Sequence, residues 1–499
     1  MYLLGIDLGS SFIKASVIDA STSKVLAQGQ VPEKEQHIIA LETGWAEQEP
    51  EIWWELICEL ITRLGLQTDL TKVTAIGISY QMHGLVVIDK DLKVLRPAII
   101  WCDSRAAVLG DQALEQLGSE TCMKHLLNSP GNFTASKLKW VQLHEPELYA
   151  RIYKFMLPGD FIAMKLSGLV QTTAGGLSEA ILWDYPGNVA ATLLLSEYGL
   201  NPDLIPTLVP AIGYQAPLSP VVANRLGLNA DAVITYRAGD QPNNALSLNV
   251  FEPGEVAATA GTSAVIYAVH DHAETDALSR INTFLHVNHT AETPRYGSLL
   301  CINGSGILYS WLKTNTMPAG QDYARMNELA ESVGNGAAGL MVLPFGNGAE
   351  RVLENKAPGA SFHNLSLTRH TSAHMARAAI EGIVFSLKYG LDILEAVQGK
   401  ARVIRAGHAN LFLSDTFARI FATVMDTRLE LYRVDGAQGA ARAAGLGSGF
   451  YKTEAAAFGN LQLVKTIDPD PAESAGYKNI YSRWKELLYK EVFGNIFTN

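Results

Sequence analysis

Short apolar runs and longer runs of helical spacing alternate along the chain. Residues 2–8 (YLLGIDL) are a compact apolar run closed by Gly9-Ser10-Ser11, and residues 12–19 turn back in the same style. This predicts a buried strand, a tight turn and a hairpin partner. The pattern returns late in the chain: residues 256–260, then Gly261-Thr262-Ser263, then another apolar run. The two turns lie 252 residues apart in a chain of 499. Such recurrence predicts two halves built alike. Residues 50–66 carry Trp and Leu at helical spacing behind Pro50, while residues 73–79 and 232–236 read as strands. Residues 371–397 make the clearest helix, with Ala376, Ala379, Ile380, Ile383, Val384, Leu387 and Leu391 on one face. Residues 106–170 read as mainly helical, and residues 172–190 as a turn-rich cover for a cleft. Residues 204–227, with four prolines, read as an extended linker and a short helix. Strands alternating with helices place the chain in the α/β class.

A chain of 499 residues is too long for one core, so at least two domains are expected. Asp and Glu outnumber Lys and Arg by 50 to 39, a net charge of −11. That argues against nucleic acid or an anionic membrane surface as the main partner, because both attract basic faces. Cys58, Cys102, Cys122 and Cys301 lack metal spacing and read as reduced thiols in a cytoplasmic setting. Asp7 interrupts the first apolar run, unlike a signal peptide, and no run reaches the roughly 18 residues of a membrane helix.

The candidate chemistry sits where strands end. Gly239 and Pro242 bracket Asp240 after the 232–236 strand, where a side chain faces a cleft rather than a core. Asp240 is a candidate base; the simpler role is capping a turn. Asp7 precedes the first Gly turn, and a carboxylate there can hold Mg²⁺ through water. The N–H groups of Gly9-Ser10-Ser11 and of Gly261-Thr262-Ser263 can each cradle a phosphate. His83 lies in a polar strand exit, Tyr80-Gln81-Met82-His83-Gly84, as a site residue or a structural histidine. Trp101, Asp103 and Arg105 suit a sugar pocket, or equally a core Trp beside a surface ion pair. Gly304-Ser305-Gly306 opens a helix and could meet phosphate or make a tight turn. Residues 403–410 (VIRAGHAN) run strand, Gly, helix, a place for ribose or phosphate, with His408 a ligand contact or a surface residue. Residues 436–445 form a helix of small side chains, which permits close approach of another element or leaves room for an adenine.

Taken in order, GIDLGSS, GWAEQEPEIWW, GISYQMHG, LRPAIIWCDSR, AGDQPNN, AGTSA and PFGNGAER resemble the FGGY carbohydrate kinases. The resemblance spans residues 1 to about 490, and within the family it is strongest to the xylulokinases. It implies two ribonuclease-H-like α/β domains of the actin- and Hsp70-type ATPases, with a cleft between them. The implied division is 1–246 (sugar, first phosphate hairpin, catalytic Asp), 251–447 (nucleotide) and a helical segment at 448–499.

The implied reaction is ATP-dependent phosphorylation of a primary hydroxyl, D-xylulose to D-xylulose 5-phosphate. Another sugar or polyol (L-ribulose, gluconate, a glycerol-like alcohol) and a sugar-sensing ATPase are the alternatives. By resemblance Asp240 is the base, Met82 and His83 contact the ketose, and Trp101 and Gln241 join them. Asp7 helps hold Mg²⁺. The expected ATP contacts are Gly9, Ser10, Ser11, Lys14, Gly261, Thr262, Ser263, Gly306, Gly407 and Asn410. The expected partners are a small sugar and ATP, with a homodimer as an allowed assembly. The chain departs from the family twice: Gln241 stands where xylulokinases commonly have Asn, which leaves the exact sugar open. Arg405-Ala406-Gly407-His408 replaces the Gly-Gly-Gly-Ala of many relatives, placing bulkier residues near the nucleotide.

Overall fold

A computed structural model describes residues 1–318 and 320–494 of the chain. The last five residues of the expected 448–499 segment therefore lie outside the described residues. Strands β1 (Tyr2–Leu8), β2 (Ile13–Asp19), β3 (Val25–Val31), β4 (Val73–Tyr80), β5 (Ile212–Pro217) and β6 (Val233–Gly239) make one sheet, ordered β5-β6-β4-β1-β2-β3. Strands β7 (Glu255–Ala260), β8 (Ala264–His270), β9 (Asn282–Leu285), β10 (Tyr296–Ile302), β11 (Val403–Gly407), β12 (Leu429–Arg433) and β13 (Gln462–Ile467) make a second. Its order is β9-β10-β8-β7-β11-β12-β13.

The halves repeat one plan. Each begins with an antiparallel hairpin and a third antiparallel strand (β1-β2-β3; β7-β8-β10), then adds two parallel strands on the other side (β4 and β6; β11 and β12). An antiparallel strand closes each far edge, β5 in one half and β13 in the other. Residues 204–227 are thus not simply a linker. Their prolines flank β5, an edge strand, where a missing N–H donor costs least.

Both sheets are covered on two faces, which is why their central strands read as nearly continuous apolar runs. Helix α1 (Pro50–Gly65) buries Trp53, Ile57, Leu60, Ile61 and Leu64 in a core with Leu4, Ile6, Leu8, Ile13 and Val17. Helix α2 (Pro158–Ser167) adds Phe161 and Ile162 to that core. In the second half α6 (Ser372–Gln398), preceded by α3 (Ala174–Glu179), α4 (Asp240–Ser247) and α5 (Ser305–Thr316), buries Ile380, Ile383, Val384 and Leu387 against Val256, Ala258 and Ile266.

Two helices cross between the halves. Helix α4 leaves β6, and Ala245 shares a core with Ala257, Val265 and Tyr267 of the second sheet. Helix α7 (Gly436–Gly447) follows β12 of the second sheet yet packs on the first. A Cβ on Gly5 would lie 1.8 Å from the Ala437 carbonyl oxygen, and one on Gly77 would lie 2.1 Å from that of Ala440. The small side chains of α7 therefore serve close packing, and the adenine reading of this helix is set aside. The chain ends in α8 (Pro471–Phe493), whose Trp484 indole donates to the Val342 carbonyl.

Gly77→Ala forces β4 and α7 apart, because the neighbour is backbone and cannot rotate away. Overpacking of this kind costs about 1–3 kcal/mol. Denaturant unfolding should show that loss, and unchanged stability would mean that α7 is free to shift.

Candidate active site

Strand β6 runs to Gly239, three residues beyond the apolar stretch that marks it in sequence, so Asp240 opens helix α4. Gly239 lets Met82 and Glu179 close in: a Cβ would lie 2.4 Å from Met82 Cγ and 2.6 Å from Glu179 Oε2, so both side chains would have to shift. Burial and the nearby Asp7 charge push the Asp240 carboxyl up to about 7, although hydrogen bonds from Gln241 oppose the shift. Asp7 is itself raised, first by burial and then by Asp435, while a hydrogen bond from Ser79 Oγ (2.7 Å) opposes this. Helix α7 delivers Asp435 to this place. Its carboxylate caps the helix, accepting from the N–H groups of Ala437 and Gln438, and lies 3.8 Å from Lys14 Nζ. Asn243, one turn into α4, donates to the Gly436 carbonyl at 3.0 Å and so ties the two crossing helices together beside Asp7.

The first Gly–hydroxyl turn is braced from behind. Gln36 Nε2 donates to the Gly9 carbonyl, Gln48 Nε2 to the Ser10 carbonyl, and the Gln36 N–H to the Ser11 carbonyl. The N–H groups of Ser10 and Ser11 have no acceptor among the described residues. In the second turn the Thr262 carbonyl accepts from the Ile307 N–H at the head of α5. Gly306 lies directly under this turn, since a Cβ there would sit 2.0 Å from the Gly261 carbonyl oxygen. Asn410 stands beside Gly261, its Nδ2 3.5 Å from where a Gly261 Cβ would be. Gly407 has open space around it apart from Val434, and the His408 N–H is spent on the Tyr432 carbonyl.

His83 takes a left-handed backbone (φ 60°) after β4. Its Nδ1 is 2.9 Å from the Glu179 carbonyl, so Nδ1–H donates and Nε2 is left as an acceptor. Burial, with help from the Lys137 and Arg351 charges, holds the imidazole down at about 3. The ring packs edge-on against Phe133 (4.8 Å) and at a tilt against Phe284 (5.4 Å), which comes from the second half. A cavity of about 630 Å³ is walled by Met82, Glu179, Phe284 and by Gly239 and Pro242, the residues on either side of Asp240 and Gln241. Gln241 Oε1 is buried without a partner. Helix α3 and the residue before it, rather than a loose cover, supply Thr173, Gly175 and Glu179 to this cavity.

Trp101 is half-exposed and its indole donates to Ser10 Oγ at 3.2 Å, so it stands against the first turn rather than in a core. Asp103 and Arg105 are not a surface pair. Both are buried, joined at 2.7 Å, with Glu47 also 2.7 Å from the guanidinium and Trp45 stacked 3.8 Å from it. Sequence reading missed Ser79, Asp435, Asn243 and Glu179. The Asp–Gly opening of a small-residue helix was a cap signal for Asp435; the other three reach the site only through strand register and helix crossing.

The chain matches the FGGY family of carbohydrate kinases, N-terminal domain, over residues 2–247 and its C-terminal domain over residues 256–447. It belongs to that family and is a carbohydrate kinase, an enzyme class that uses ATP as substrate. It is 29% identical to the xylulose kinase of Bacillus subtilis, over 97% of this chain and 98% of that one. It is 27% identical to the xylulose kinase of Escherichia coli, over 96% of each chain. Its fold is that of the xylulose kinase from Lactobacillus acidophilus (TM-score 0.90, 22% identity, 99% of each chain). The gluconate kinase from the same organism matches as well (TM-score 0.90, 22% identity, 99% of this chain and 98% of that one). All four cysteines are free thiols, and no helix among the described residues is long and apolar enough to cross a membrane.

The His83 imidazole should remain neutral, with the proton on Nδ1, from pH 5 to 8. Its ordinary value is 6.5 and burial moves it down, so acidification within this range cannot charge it. Nitrogen-detected NMR of labelled protein reads this directly; a midpoint between 6 and 7 would contradict the buried, hydrogen-bonded geometry.

Proposed function

We propose that the enzyme transfers the γ-phosphoryl group of ATP to the C5 hydroxyl of D-xylulose, giving D-xylulose 5-phosphate and ADP. The observation that carries the chemistry is Asp240: a half-buried carboxyl at the head of α4, beside Asp7, raised to about 7. A base poised near neutral pH is what abstraction of a sugar hydroxyl proton needs. The sugar oxygen attacks the γ-phosphorus in line, its proton passes to Asp240, and the bond to the ADP oxygen breaks. The xylulose kinases among the relatives, together with Met82 and His83 at the end of β4, support a ketopentose as acceptor. The neutral His83 would receive a sugar hydroxyl at Nε2, with Met82 and Gln241 beside it.

The turns Gly9-Ser10-Ser11 and Gly261-Thr262-Ser263 would hold the phosphates, aided by Lys14 and by Gly306 packed behind the second turn. Gly407 and Asn410 would border the adenosine. The halves would divide the work as 1–246 for sugar and base and 251–447 for nucleotide; residues 448–499 are not the separate helical segment expected from sequence, because they supply edge strand β13 and the core residues Tyr477, Trp484 and Leu488 of α8 to the second half. The residues around Asp7 fit Mg²⁺: its donors are oxygen only, and no cluster of three or more His, Cys, Asp or Glu that could cage a metal exists among the described residues. Mg²⁺ commonly uses one or two carboxylates and completes its shell with phosphates and water. Asp7 would hold the ion, which when bound supplies charge neutralisation on the phosphates.

Asp240→Asn should lower kcat by about 10²–10⁴-fold while ATP binding, read by calorimetry, survives. Near-normal turnover would remove Asp240 from the role. A coupled ADP assay over D-xylulose, L-ribulose, gluconate and glycerol should give the highest kcat/KM with D-xylulose, and a clear preference for any other acceptor would replace that assignment.

A further inference from the structure

Arg351 is a cation without a counter-ion. It follows Glu350 at the start of a short 3₁₀ turn, Arg351–Leu353, in the second half of the chain. Among the described residues it forms no ion pair, and its one side-chain hydrogen bond runs from Nη1 to the Ser279 carbonyl at 3.3 Å. Arg96, Arg105, Arg377 and Arg405 each meet a carboxylate, and Arg442, which does not, gives Nη1 to the Ala457 carbonyl and to Asn460 Oδ1. For Arg351 the acid whose field reaches it is Asp111, and burial prevails over that field.

The position is a fixed one. The Glu350 carboxylate accepts from the N–H groups of Asn303 and Gly304, each at 3.0 Å, just ahead of α5. The Glu350 N–H donates to the Lys356 carbonyl and closes the loop. From that anchor Arg351 crosses to the first half. Its guanidinium lies 5.5 Å from the Phe133 ring centre, and its Nη2 is 3.5 Å from where a Gly131 Cβ would be. Phe133 is the ring that packs against His83, and the Arg351 charge reaches the His83 imidazole. Phe284 meets the same wall from the second half, 6.3 Å from Phe133.

The Arg351 guanidinium is half-buried, and its unused donors stay open to water, so an oxygen acceptor arriving there can take that water's place. The side chain stands at the His83 wall, where the acceptor sugar is placed under the function proposed above, on which this inference rests. We infer that Arg351 is a specificity-determining residue that grips the carbonyl end of the acceptor, remote from the hydroxyl that is phosphorylated. A ketose offers there a carbonyl and an adjacent hydroxyl, two oxygens for a planar fork of donors. A polyol lacks the carbonyl and makes weaker use of the same fork. Because Arg351 and Phe284 belong to one half and Met82 and His83 to the other, the sugar bridges the two.

The test compares D-xylulose with xylitol, its reduced counterpart, in the wild-type enzyme, Arg351→Met and Arg351→Lys. Arg351→Met should lower kcat/KM for D-xylulose about 10- to 100-fold, the range of one or two charge-assisted hydrogen bonds, mainly through KM. Xylitol turnover and the KM for ATP should stay nearly unchanged, so the ketose-to-polyol ratio collapses. Arg351→Lys, which keeps the charge and loses the fork, should fall between; if Arg351→Met does not fold, this variant carries the test through the same ratio. A ratio that does not change overturns the inference. So does an equal loss for both acceptors or a raised KM for ATP, which would assign Arg351 to the fold or to phosphate. Should the wild-type enzyme itself fail to phosphorylate D-xylulose, the substrate assignment falls, a result separable from any effect of Arg351.

Discussion

The contact between α7 and the first sheet governs the site. Gly5 and Gly77 carry no side chain where the main chain of α7 passes, and any Cβ there would overlap a carbonyl oxygen. The helix thus rests on the sheet at backbone distance, and its first residues land on Asp7: a Cβ on Gly436 would be 2.5 Å from Asp7 Oδ2. Helix α4 is carried along, because Asn243 donates to the Gly436 carbonyl and Gly439 leaves room for Ser247. The place of Asp240 is therefore set by chain almost two hundred residues downstream. Each half contributes a crossing helix, and neither half alone completes the acidic end of the cleft.

That end concentrates acids at a cost. Asp7, Asp240 and Glu179 are all raised by burial, Glu179 far above its usual range, and the Asp240 charge adds to its shift. Lys14 is the nearby cation and it leans toward Asp435 at 3.8 Å. A fold selected for stability alone would pair or remove such groups, and sites that keep them are commonly functional. The same logic applies to Arg351, a cation without a carboxylate partner whose charge, with that of Lys137, reaches His83. Acids at one end and a cation at the other suit a bound magnesium–nucleotide and an oxygen-rich acceptor respectively.

Much of this was legible in the chain because it is written in local chemistry. Strand, Gly and paired hydroxyls marked both turns, and Gly239 and Pro242 marked Asp240. The apolar face of residues 376–391 marked α6. The family motifs then ordered these pieces. What stayed hidden depends on non-local geometry. Ser79 meets Asp7 because β1 and β4 run parallel with these two residues in register. Arg351 meets Phe133 only across the two halves. The small residues of α7 read equally as packing or as a nucleotide pocket until Gly5 and Gly77 were seen beneath them. The prolines around β5 obscured an edge strand. Asp103 and Arg105 read equally as pocket residues or as a surface pair because nothing local shows that Trp45 and Glu47 enclose them.

The central claim is that Asp240 works as a base whose affinity for protons is set by burial and by Asp7. The direct measurement is the pH dependence of kcat/KM with both substrates well below saturation, which reads ionisation in the free enzyme. A raised carboxyl is protonated, and unable to accept a proton, below its midpoint. The account predicts an acid limb that falls tenfold per pH unit below about 7. A profile flat from pH 8 down to 5 would contradict it, because an ordinary exposed carboxylate would stay ionised over that whole range.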